Sequence, residues 1–142
     1  MDQIFFKVGD KGCPIKPSKT YPGDAGWDLY TSREASVPPN SFIDIHVDIW
    51  VAMPAGMWGM ITGRSSTVRK HGLRVETGII DNGYRGEMFV GVWNLSNTTI
   101  HIPESTRLAQ FIPFSLKDME WVEVEELPPS NRGTNAFGSS GR

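Results

Sequence analysis

Apolar and polar residues alternate along most of the chain. In "FIDIHVDIWV", residues 42–51, Ile43, Ile45, Val47, Ile49 and Val51 fall on one side, and Asp44, His46, Asp48 and Trp50 on the other. A period of two is that of a strand with one buried face. "MWGMIT", "EMFVGVWNL", "TTIHI", "RLAQFIPF" and "WVEVEE" are further β-rich runs. Turn chemistry separates them: "VPPNS", "MPAG", "DNGYRG" and "IPES". Only "SSTVRKHG" reads as helix, two short turns stopping at a glycine. Many short strands with Gly and Pro between them predict an all-β sandwich, jelly roll or barrel. "ELPPSN", residues 126–131, ends the last run, and its adjacent prolines form a stiff spacer. Beyond it lies a glycine-rich tail holding one large ring, Phe137. Such a tail is either a frayed end or a loop that closes over something.

Composition narrows the picture only modestly. A chain of 142 residues with 39% apolar and 21% charged residues is one ordinary globular domain. A net charge of −2 excludes wholesale nucleic-acid binding, which needs a basic surface. The single cysteine, Cys13, excludes an intrachain disulfide and a cysteine-rich zinc site. The opening "MDQIFFKVGDKG" is unlike a signal peptide, and no run is long enough to span a membrane. The expectation is a cytoplasmic, soluble protein without a membrane partner.

Five polar or glycine-rich clusters interrupt the strands. They are "DAGWDLY" (24–30), "GRSST" (63–67), "TGIIDNGYRG" (77–86), "RLAQ" (107–110) and "RGTNAFGSSG" (132–141). Each alone has a purely structural reading. "DNGYRG" is a hairpin turn, since Asn-Gly favours type I′. "GRSST" is a helix start capped by Ser65 or Ser66. "RLAQ" is the start of a strand. Together they assemble Arg64, Arg85, Arg107 and Arg132 with hydroxyls and unencumbered backbone amides. That is equipment for a polyphosphate. Asp28 and Asp81 are the two acids central to the set. A carboxylate among arginines stays ionised and can orient a water or hold a hydrated metal. No Walker-type or Rossmann-type glycine motif is present.

In order and spacing these five stretches resemble the five motifs of the trimeric dUTPase family (deoxyuridine triphosphate nucleotidohydrolases). The resemblance implies a jelly-roll β-barrel with one short helix and a flexible C-terminal arm. It implies a barrel domain over 1–125, and a spacer and arm over 126–142 that close over a neighbouring active site. It implies homotrimers with shared active sites, dUTP as the bound partner, and hydrolysis to dUMP and pyrophosphate with Mg²⁺. Asp81 matches the catalytic aspartate that deprotonates the water attacking the α-phosphorus. Tyr84 matches the ring beneath the deoxyribose, where a ribose hydroxyl would clash and stay unsatisfied. The backbone around Thr77, Gly78 and Ile80 would read the uracil edge, and Phe137 would stack over the base. Arg64, Ser65, Ser66 and Gln110 match phosphate ligands, joined from the arm by Arg132, Gly138, Ser139 and Ser140. Asp28 matches the acid that meets hydrated Mg²⁺ through water.

The match has departures. Asn135 and Ala136 stand where the family commonly has Gly-Gly, Gly63 where it has proline, and Val75 where it often has asparagine. The "RSS" and Arg69 are similar to a sister family, the dCTP deaminases and bifunctional dCTP deaminase-dUTPases. Those enzymes need a glutamate ten residues beyond the aspartate, and Gly91 occupies that position. A nucleotide-binding regulatory module on the same fold is the third reading. Asp81, Tyr84, Arg64 and Phe137 together argue against a degraded site. His46 and His101 read as surface or interface side chains, His71 as a helix C-cap, and most of the five tryptophans as core or trimer interface.

Overall fold

The computed structural model describes residues 2–134; Phe137, Gly138, Ser139 and Ser140 lie outside the described residues. The described residues are all-β but for one short helix. Its elements are β1 (Phe5–Val8), β2 (Trp27–Tyr30), β3 (Ala35–Val37), β4 (Ser41–Ala52), β5 (Met57–Gly63), α1 (Thr67–His71), β6 (Leu73–Val75), β7 (Gly78–Ile80), β8 (Glu87–Asn94), β9 (Ile100–Ile102) and β10 (Arg107–Ser115). One sheet runs β1-β4-β8-β6, a second β2-β10-β5-β7, and β3 pairs with β9. The fold is of the jelly-roll class, and its sheets do not join into a closed barrel. No helix among the described residues is long and apolar enough to cross a membrane.

The core is aliphatic. Leu29, Val37, Ile45, Val47, Ile49, Ile61, Leu73, Met88, Val90, Val92, Ile102 and Leu108 are almost wholly buried, with Phe111 beside them. Of these, Ile45, Val47 and Ile49 on β4 and Met88, Val90 and Val92 on β8 are inward positions that period-two alternation assigns. Gly59 is needed beneath Phe111, since a Cβ there would overlap the ring. None of the tryptophans enters this core: Trp27, Trp50, Trp58 and Trp93 are half-buried, and Trp121 is 99% exposed.

Three local expectations are corrected. Asp48, expected on the polar face, is buried at 2% exposure. The β4–β8 register shifts between His46 and Trp50, and Asp48 takes φ 53° within the irregularity. A β-bulge breaks the alternation, so Val47, Asp48 and Ile49 all turn inward. The carboxylate is satisfied by Arg33, whose Nη2 donates to Oδ1 at 2.7 Å and Nε to Oδ2 at 3.0 Å, and by the Ser32 hydroxyl. Both Arg33 and Ser32 hold it below the usual carboxylate range against the opposing effect of burial.

The Asn-Gly turn is not a type I′ hairpin. Neither Asn82 nor Gly83 has positive φ. β7 pairs with β5, and β8 with β4 and β6, so the turn carries the chain from one sheet to the other. "WVEVEE" forms no strand; residues 116–134 carry none and are exposed. Its alternation suits a ladder, but no strand of its own chain lies beside it among the described residues, and unpaired alternation makes no sheet.

Candidate active site

The second sheet positions the phosphate-type side chains. In register, Gln110 on β10 faces Asp28 on β2 and Thr62 on β5, with Arg64 just past the end of β5. Arg64 Nε lies 3.0 Å from Asp28 Oδ1, and Arg107 Nη1 3.8 Å from Oδ2. Asp28 thus aims two guanidinium groups into one region and leaves their remaining N–H donors for a ligand. Arg64 Nη1 also donates to Ser66 Oγ at 3.3 Å. Gln110 Nε2 donates to the Gly63 carbonyl at 3.0 Å. Gly26 is needed here because any Cβ would overlap the Gln110 carboxamide. Lys19 lies over the Trp27 ring at 4.8 Å, beside Asp28.

Helix α1 is held against the sheet by Thr67, buried, whose hydroxyl donates to the Leu108 carbonyl at 2.8 Å. Ser66 occupies the N-cap position, but its backbone is itself helical (φ −91°, ψ −10°) and its hydroxyl makes no cap bond. Neither Ser65 nor Ser66 is therefore a side-chain cap, and Ser65 is exposed. At the other end Gly72, at φ 70°, is the cap, its N–H donating to the Val68 carbonyl. His71, expected to cap, is instead released toward a cavity of about 340 Å³ lined by Arg64, Ser66, Lys70, His71, Thr106 and Arg107. Burial lowers the His71 pKa from its ordinary value, and the charges of Lys70 and Arg64 lower it further. Sequence reasoning counted Arg107 among the polyphosphate-type arginines but gave no site role to Lys70, His71 or Thr106. The signal was their position: Lys70 and His71 close the short helix that follows "RSS", and Thr106 directly precedes "RLAQ".

Asp81 and Tyr84 belong to a second cluster. Ile80, buried at the end of β7, faces Gly59 across the ladder, and Gly78 faces Ile61. The chain then turns, Tyr84 N–H donating to the Asp81 carbonyl at 3.0 Å. Asn82 pins this turn by donating its carboxamide to the Pro54 and Met57 carbonyls at 2.8 and 2.7 Å. The Tyr84 hydroxyl donates to the Glu87 carbonyl at 2.7 Å, and Gly86 leaves room for the ring. Arg85 donates to the carbonyls of Asn82 and Tyr84. Asp81 itself is exposed and makes no side-chain hydrogen bond or ion pair among the described residues. Thr77 is exposed at the other end of β7, and Arg132 in the segment after β10.

The two clusters do not meet within the chain. Gly63, beside Arg64, faces Ala109, whereas Gly59 faces Ile80. Four residues of strand separate these rungs, about 13 Å. Elsewhere, His46, Asp48 and Glu87 form the one group of three potential metal ligands among the described residues. His46 Nδ1 lies 2.8 Å from Glu87 Oε2, so His46 is a paired side chain rather than a bare surface one. Arg33 occupies both Asp48 oxygens, which leaves that group little capacity for a cation.

Comparison with known proteins adds the context. Residues 15–141 match the family model of the dUTPases. The chain is 36% identical over 143 residues to the deoxyuridine 5'-triphosphate nucleotidohydrolase of Tropheryma whipplei (strain Twist), covering 99% of this chain and 94% of that one. It is 38% identical over 135 residues to that of Nocardia farcinica, covering 93% and 81%. Its fold is similar to that of the Staphylococcus bacteriophage 80alpha dUTPase solved with dUpNHpp, at a TM-score of 0.87 and 26% identity over 99% of each chain.

Proposed function

Because this chain belongs to the dUTPase family, we propose that it hydrolyses dUTP to dUMP and pyrophosphate, water attacking the α-phosphorus. The carrying observation is the pair of half-sites with complementary chemistry. One is a basic, hydroxyl-bearing cavity braced by Asp28. The other is a rigid turn presenting an uncommitted carboxylate, Asp81, near the ring of Tyr84. An ionised carboxylate with no cationic partner of its own is suited to take a proton from water. The arginines stabilise charge developing on the phosphates. Tyr84, its hydroxyl engaged and its ring open to one side, would lie against the deoxyribose. The backbone at Thr77, Gly78 and Ile80 would read uracil. Arg64, Ser65, Ser66, Gln110 and Arg132 would bind phosphate, with Gly138, Ser139 and Ser140 from the tail, and Phe137 would stack on the base.

The separation of the half-sites along β5 supports a site shared between chains. A homotrimer in which the Asp81 turn of one chain faces the Arg64 cavity of another would unite them. The barrel over 1–125 would supply these parts, and the segment over 126–142 a cover from the third chain. Among the described residues this segment is exposed and joins no sheet up to residue 134, which is compatible with its reaching a neighbour.

The donor set is compatible with Mg²⁺ held on the triphosphate. Asp28 Oδ2 has only a distant guanidinium at 3.8 Å, which leaves it able to accept from a metal-bound water. When bound, the ion neutralises phosphate charge. Binding and orienting the nucleotide, and activating the water, fall to the chain's own residues.

Deamination of dCTP finds no support. The position where that chemistry needs a glutamate is Gly91, on β8 beside the Phe42 ring. A product assay on dUTP beside dCTP tests the reading. dUMP and pyrophosphate from dUTP are expected. Ammonia from dCTP, or no turnover of either, would overturn it.

A further inference from the structure

The cavity beside α1 is larger and more basic than the ligands Arg64 and Ser66 account for. Its lining carries three permanent cations, Arg64, Lys70 and Arg107, besides His71 and the hydroxyls of Ser66 and Thr106. No carboxylate lines it among the described residues. Asp28 engages Arg64 and approaches Arg107, but no ion pair is made by Lys70 or His71 among the described residues. Three like charges around one polar space repel one another and favour a polyvalent anion between them.

We propose that Lys70 and His71 hold the distal diphosphate of the nucleotide, and then the pyrophosphate product, with His71 taking a proton from solvent as the anion enters. This rests on the hydrolytic reading of the same site. The side chains fit the two tasks. Lys70 brings a permanent charge at the penultimate position of α1. His71 stands where the helix ends at Gly72, with its ring half-buried in the cavity wall. Lys70 and Arg69 on its own helix, Arg64 beyond β5 and Arg107 at the start of β10 are all cationic; Arg74 on β6 is turned away over Trp93 at 6.0 Å. Every charged neighbour therefore opposes protonation while the cavity lacks an anion. Burial does the same. A bound pyrophosphate reverses the balance by placing anionic charge in the cavity that the ring lines. Pyrophosphate binding is then accompanied by proton uptake at the imidazole.

The test uses the full chain and inorganic pyrophosphate alone, with chelator present. NMR titration of the His71 ring, assigned with His71→Gln, should show its pKa rise by about one unit or more when pyrophosphate is added. Calorimetry at pH 6 in two buffers of different ionisation heat should show more proton uptake for the native chain than for His71→Gln. That subtraction removes the ionisation of pyrophosphate itself. Lys70→Met should weaken pyrophosphate on the order of tenfold, as loss of a charge-assisted bond does. An unmoved His71 titration, equal proton uptake in His71→Gln, or unchanged affinity in Lys70→Met would each overturn the proposal. Turnover of dUTP measured on the same samples separates the two readings. Turnover with an unmoved His71 removes this inference alone. A shifted His71 without turnover removes the reaction and leaves the anion site.

Discussion

Asp81 sits at a strand end with its backbone held on both sides and its oxygens uncommitted. Asp81→Asn keeps the shape and removes the base, so nucleotide binding should persist while kcat falls by about 10²–10⁴; a titration with a non-hydrolysable analogue beside a turnover assay checks both. Asp48 shows the opposite use of a carboxylate. Its pKa is depressed by Arg33 and Ser32, so its contribution to stability is complete above the unfolded value of about 3.9. It is lost as pH falls through the lower folded value. Asp48→Asn should therefore lower Tm at neutral pH, with the gap from the native chain closing below about pH 4. Thermal melts across pH measure that gap. Asp28 could be placed among arginines from sequence because motif order encodes which strands become neighbours. Asp48 could not, because one bulge defeats a period-two count, and nothing in the residues around it announces a bulge.

Elements formed where a partner within the chain was available. β5 and β8 follow the alternation closely, and β4 and β10 do so outside their irregularities, since each pairs and buries a face. Residues 121–126 alternate just as well and remain unpaired, because alternation specifies a face but not a neighbour. The Asn-Gly turn was misread for a related reason: turn propensity is local, whereas the exchange of sheets after β7 is set by which strands bury Ile80 and Met88. The short helix depends on tertiary anchoring, being far below the length at which isolated helices persist. Thr67→Val should thus strand the Leu108 carbonyl and destabilise the fold by about 1–3 kcal/mol. Urea unfolding gives that figure, and a parallel pyrophosphate titration shows whether the wall of the basic cavity loosens with it.

At the scale of the whole molecule, the spacing between the Asp81 turn and the Arg64 cavity along β5 is the basis of the proposed site shared between chains. Sedimentation should give three times the single-chain mass. Mixing inactive Asp81→Asn with inactive Arg64→Ala, followed by subunit exchange, should restore part of the activity, since some interfaces then join two intact halves; no recovery would place a complete site in one chain. Truncation after Ser130 should leave folding intact, because the exposed residues 116–134 contribute nothing to the aliphatic core, while kcat/KM on dUTP drops steeply. The placement of the tryptophans has an optical consequence. With four tryptophans half-buried and Trp121 almost wholly in water, a change in emission without unfolding would report contact at that one exposed indole. A blue shift on raising protein concentration, absent from Trp121→Phe, would make this one indole a built-in gauge of assembly.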